Sequence, residues 1–65
     1  MNVKFTKDVT VDFLDKFNEL SERSFRVGTI IKVDSIEDMG SFYNIHLNEN
    51  EVLIDVHKST IKTYV

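Results

Sequence analysis

The stretch Thr10-Val11-Asp12-Phe13-Leu14-Asp15-Lys16-Phe17-Asn18-Glu19-Leu20-Ser21-Glu22-Arg23 decides how this chain is read. With about 100° per residue, Val9, Phe13, Leu14, Phe17 and Leu20 fall within roughly 140° of arc, the width of an apolar helix stripe. Asp8 or Thr10 supplies an N-cap oxygen, and Asp12 and Asp15 sit near the positive end of the helix dipole. The spacing therefore predicts one amphipathic helix over residues 10–23. Its opposite face carries Asp12, Asp15, Glu19 and Glu22 within about 80°, an acidic stripe preceded by Asp8.

On either side of this segment the period changes to two. Val3 and Phe5 alternate with Lys4 and Thr6, which predicts a short N-terminal strand with Val3 and Phe5 inward. Residues 24–33 alternate again, with Phe25, Val27, Ile31 and Val33 on one face and Arg26, Ile30 and Lys32 on the other. Gly28 interrupts this strand, and a glycine there marks a bend, a bulge or a close approach of backbones. Asp34 to Ser41 reads as an irregular connection.

Residues 42–47 and 52–57 form a hairpin around Asn48-Glu49-Asn50-Glu51. Placing Leu47 opposite Val52 pairs Ile45 with Ile54 and Tyr43 with Val56 inside. The same register puts His46 opposite Leu53, Asn44 opposite Asp55 and Phe42 opposite His57 outside. Lys58 to Ile61 makes one tight turn, and residues 62–65 form a last strand, with Ile61 and Tyr64 as core contacts. The expectation is an α+β domain over residues 1–65: an N-terminal strand, one helix, a curled antiparallel three-stranded meander and a short C-terminal strand. Over its last forty residues this arrangement resembles the small Src-homology-three-like barrels in architecture. The proline-peptide groove of that family has no counterpart in these residues, and the chain has no tryptophan.

Composition bounds the function. A chain of 65 residues buries only about 60% of its unfolded surface, and a core that small supplies about 3–5 kcal/mol. With no cysteine there is neither a disulfide nor a thiolate zinc site to add to it, so packing or a partner must, and a reducing, cytoplasmic setting is expected. The residues at the N-terminus lack the apolar run of a secretion signal, and no apolar run is long enough for a membrane span. A net charge of −3 argues against nucleic acid as a partner. The bias toward Asn, Lys, Ile and Asp suits an AT-rich genome, bacterial or phage.

Catalytic and cofactor motifs are missing from the sequence. The serines have no nucleophile elbow, Gly28 and Gly40 stand alone, and His46 and His57 lack metal-ligand spacing. The acidic loop at residues 34–38 puts Ile36 where a calcium loop needs oxygen. No catalysis, cofactor or metal is expected. What remains is binding. Ile30, Phe42 and Leu53 interrupt the polar outer face of the sheet around His46, and such apolar groups call for cover by the helix, a protein partner or a second copy. The acidic stripe is ordinarily a solvated face, and alternatively an imitation of a phosphate backbone presented to a nucleic-acid enzyme. Lys58, Lys62, Tyr64 and Lys32 form a small basic and aromatic set of the kind single-stranded nucleic acid prefers. Thr63-Tyr64-Val65 also fits the loose pattern of a C-terminal peptide added to a PDZ-type sheet.

Overall fold

In a computed structural model, which describes residues Met1–Tyr64, the segment expected to be helical is a β-hairpin. Strand β2 (Val9–Leu14) pairs antiparallel with β3 (Leu20–Phe25), from Val9 opposite Phe25 to Leu14 opposite Leu20. The β-branched Val9, Thr10 and Val11 favour an extended chain, and burial alternates along β2, with Val11 and Phe13 inward. The turn is built by Asp15: one carboxylate oxygen accepts the Phe17 and Glu19 amides at 2.8 and 3.0 Å. The Asp15 carbonyl accepts the Asn18 amide at 3.0 Å, and Asn18 takes φ of 59°, a left-handed conformation that asparagine tolerates. Asn18→Val should therefore lower stability by about 1–2 kcal/mol in urea unfolding, while Asn18→Gly should not.

Residues 10–23 mix good helix formers (Leu14, Lys16, Glu19, Leu20, Glu22, Arg23) with poorer ones (Thr10, Val11, Phe13, Phe17, Asn18), and 14 residues are marginal for an isolated helix, so propensity alone does not hold the helix together. The hairpin wins because β2 has a second partner. It also pairs with β7 (Val52–His57), with Phe13 opposite Leu53.

The α+β expectation is thus corrected to an all-β fold of two antiparallel sheets. The three-stranded sheet has the order β4 (Ile30–Lys32), β1 (Asn2–Phe5), β8 (Ile61–Tyr64). The five-stranded sheet has the order β3, β2, β7, β6 (Phe42–His46), β5 (Ser35–Asp38). The Src-homology-three-like reading placed the barrel in the last forty residues; in fact β1 is the centre of one sheet and β2 lies inside the other. No helix covers either sheet among the described residues, where the helical content is a single 3₁₀ turn, Lys58–Thr60. Val65, the end of the expected last strand and of the PDZ-type pattern, lies outside the described residues.

The two sheets are one structure folded over. The register between β1 and β4 continues unchanged into that between β2 and β3, so residues 2–14 and 20–32 are a single long hairpin bent at its middle. At the bend the Phe5 amide donates to the Thr29 carbonyl at 2.9 Å and the Gly28 amide to the Phe5 carbonyl at 2.7 Å. Gly28 has φ of 90°, and of the bend, bulge or close approach that this glycine allowed, a bend is present and divides the expected strand into β3 and β4. Val27, expected inside, is exposed at the bend. The Asp8 carboxylate accepts its amide at 2.7 Å.

β7 and β8 run along the other side of the same bent strand, and the 3₁₀ turn carries the chain across the fold. The His57 ring nitrogen Nδ1 accepts the Ser59 amide at 3.1 Å, and the Thr6 amide donates to the Thr60 carbonyl at 2.8 Å. The segment expected to be irregular contains edge strand β5, whose Ile36 lies opposite Ile45. Lys58 pairs with Asp38 at 2.7 Å, and this hydrogen bond, helped by the Gly40 amide, holds the Asp38 carboxyl below its ordinary pKa.

The core between the sheets is Val3, Phe5, Val11, Phe13, Val33, Ile45, Leu53, Val56 and Ile61. Phe25 stacks on Phe5 with centroids 4.3 Å apart, which staples the bend. Tyr64, expected inside, is exposed.

Candidate functional site

The hairpin of β6 and β7 follows the expected register only at its far end, with Phe42 opposite His57 and Tyr43 opposite Val56. Beyond these pairs β7 carries one extra residue. Asp55 adopts φ of 56° and its amide donates to the Asn44 side-chain oxygen at 3.2 Å, so the strand bulges. Ile45 then lies opposite Leu53, and His46 opposite Val52. Because side chains alternate, one inserted residue reverses the phase of everything before it. Leu53, expected on the outer face, is fully buried; Val52 and Ile54, expected inside, face out.

That reversal assembles an outer apolar row. Leu14 lies opposite both Leu20 and Val52, and Val52 lies opposite His46, so these four side chains cross four adjacent strands. Ile54, next to Val52 on the same face, lies opposite Asp12. Leu14, Val52 and Ile54 are half-buried but are not among the residues packed against the core cluster. Leu20 is 64% exposed at the edge of the row, and Phe17, at the hairpin tip, is 71% exposed.

Of the residues first placed together, His46 alone belongs to this row. Its Nε2 lies 3.8 Å from a Glu37 carboxylate oxygen. Ile30 is on β4, in the other sheet. Phe42 lies at the opposite end of β6, its ring edge-on to His57 at 5.3 Å. Leu53 cannot meet a partner without unfolding the core. The sequence signal that was missed is the pair Asn44 and Asp55: two short polar residues facing each other in a hairpin, both of types that tolerate positive φ.

The acidic stripe is broken by the same correction. Asp12 and Glu22 remain neighbours, directly opposite each other on the outer face of β2 and β3. Asp15 is occupied in the turn, and Glu19 closes that turn with its carbonyl on the Asp15 amide. The rigid rod on which a phosphate-backbone imitation rested is absent. Two carboxylates opposed across strands repel. Neither takes part in an ion pair among the described residues.

A cleft of about 350 Å³ lies at the bend, lined by Asp8, Val9, Thr10, Ser24, Phe25 and Arg26. Some of its polar groups are matched within the fold: the Thr10 and Ser24 hydroxyls bond each other at 2.9 Å and Asp8 holds the Val27 amide. The bond each hydroxyl makes is to the other hydroxyl, and neither bonds a carboxylate or an imidazole among the described residues. Among the described residues no three His, Asp or Glu side chains gather to hold a metal ion, and no helix is long and apolar enough to cross a membrane.

The chain matches no protein-family model, no curated protein and no solved structure.

Proposed function

We propose that this protein is a small non-catalytic binding module whose contact face is the outer side of the five-stranded sheet. The observation that supports this reading is the group of Leu14, Leu20, Val52 and Ile54, apolar on a face turned away from the core cluster. A sheet with one face in the core ordinarily turns polar residues outward, so a contiguous outer apolar row marks an interaction surface.

The rim narrows the partner. Asp12 and Glu22 border the row on one side and Glu37 lies beside His46 on another. The complementary surface is an apolar patch on a protein, edged by Lys or Arg that relieve the repulsion between Asp12 and Glu22. Association through the free β3 edge is less favourable, because Glu22 and Arg23 in the middle of that strand guard it.

The double variant Leu20→Ser and Ile54→Ser tests the reading. It is expected to keep the circular dichroism of the parent and to lose capture of the parent's partner, or self-association in sedimentation, by at least about tenfold. Capture that weakens steeply with salt and is indifferent to these two residues would overturn it.

A further inference from the structure

The outer side of the three-stranded sheet has a different character. Val3 and Phe5 are fully buried, so Asn2 and Lys4 point away from the core. Antiparallel partners share a face, which places Lys32 and Tyr64 beside Asn2, and Ile30 and Lys62 beside Lys4. Three lysines, an aromatic ring and an amide thus occupy one small sheet surface, and no carboxylate stands at any of its paired positions. Lys4 is directly opposite Lys62, a juxtaposition that costs stability unless an anion screens it. None of the three takes part in an ion pair among the described residues. Lys58, grouped with them on sequence grounds, is elsewhere, held by Asp38 and lying over the Tyr43 ring.

We propose that this face binds single-stranded nucleic acid, with Lys4, Lys32 and Lys62 on phosphates and Tyr64 as the stacking surface for a base. Tyr64 is 43% exposed on the same sheet face as the lysines, the combination of ring and cation that single strands use irrespective of sequence. A lipid surface is the poorer match, since recruitment to anionic membranes ordinarily takes about four to eight clustered cations. The net charge of −3 is an average over the whole surface. Coulomb attraction falls with distance, so a phosphate seated on this face feels its lysines more strongly than the carboxylates elsewhere on the surface.

Fluorescence anisotropy with a short labelled oligothymidylate tests the proposal. Binding is expected at low ionic strength, with log affinity falling against log salt with a slope of about −2, as three phosphate contacts to a single strand imply. Lys4→Gln, Lys32→Gln and Lys62→Gln combined should abolish that slope and the binding with it. Tyr64→Ala should weaken binding about tenfold while leaving the slope unchanged. The Leu20→Ser, Ile54→Ser variant should bind the oligonucleotide like the parent, which separates this proposal from the protein-contact face. No saturable binding at low salt, binding indifferent to the three lysines, or binding to phosphatidylserine vesicles but not to the oligonucleotide would each overturn it.

Discussion

Phe13→Ala is expected to cost about 3–5 kcal/mol, whereas Phe17→Ala should change stability by no more than about 0.5 kcal/mol. On a helix wheel the two rings share one stripe and would weaken the protein alike. In the hairpin they part. Phe13 is 3% exposed, sits opposite Leu53 and is covered on its other side by the Arg23 guanidinium, 4.1 Å from the ring centroid. Phe17 is at the tip of the turn with Lys16 over its ring. A domain of this size holds only about 3–5 kcal/mol in its core, so Phe13→Ala should leave the chain largely unfolded at room temperature. Urea unfolding of the two variants decides the matter, and equal destabilisation would reject the hairpin.

The second large effect is at neighbouring residues. Leu53→Ala should cost about 2–5 kcal/mol, and Ile54→Ala about 1 kcal/mol or less. Leu53 is the middle of a transverse row that runs from Phe13 through Leu53 and Ile45 to Ile36 across four strands, and its removal leaves a cavity bounded by three of them. Ile54 faces the other way, against Leu14, Val52 and solvent. Without the bulge at Asp55 the order of the two costs would be inverted, with Ile54 inside. Thermal unfolding followed by circular dichroism is sufficient to rank them.

Both predictions turn on the two places where tertiary structure departs from pattern. Residues 9–14 carry both periods: Val9, Phe13 and Leu14 lie on a helix stripe, and Val9, Val11 and Phe13 on a strand face. Local propensity does not separate them. What separates them is the demand of β7 for a neighbour, a contact between residues about forty positions apart that no window of sequence contains. At Asp55 the alternation of residues 52–57 reads equally well with or without an extra residue, and because Leu53 and Ile54 are isomers of equal size, side-chain volume does not choose between the two registers. The bulged register encloses Leu53 with Ile45 and Phe13, and the Asn44 side chain accepts the amide that the ladder leaves free.

The candidate surfaces inherit this division. The expectation of an apolar outer face around His46 came from counting alternation, and its members changed: Leu53 left it and Val52 and Ile54 entered with the phase change, Leu14 and Leu20 entered with the β2–β3 hairpin, and Ile30 went to the other sheet. The lysine face was half legible, in Lys32, Lys62 and Tyr64. It needed β1 between β4 and β8 to bring Lys4 in, and the ion pair with Asp38 to take Lys58 away.

By itself the sequence determined the short-range features: the strand at Val3 and Phe5, an interruption at Gly28, the hairpin at residues 42–57 and the tight turn before the last strand. Each is set by side-chain period or by the backbone freedom of one or two residues, and those act over a few positions. The tertiary structure alone decided that residues 10–23 form a hairpin and not a helix, that β1 and β2 are one bent strand shared by both sheets, and which side of β7 faces out. In a chain this small each buried side chain is a large part of the total stability, so the long-range pairing that closes the core overrides a local helical pattern.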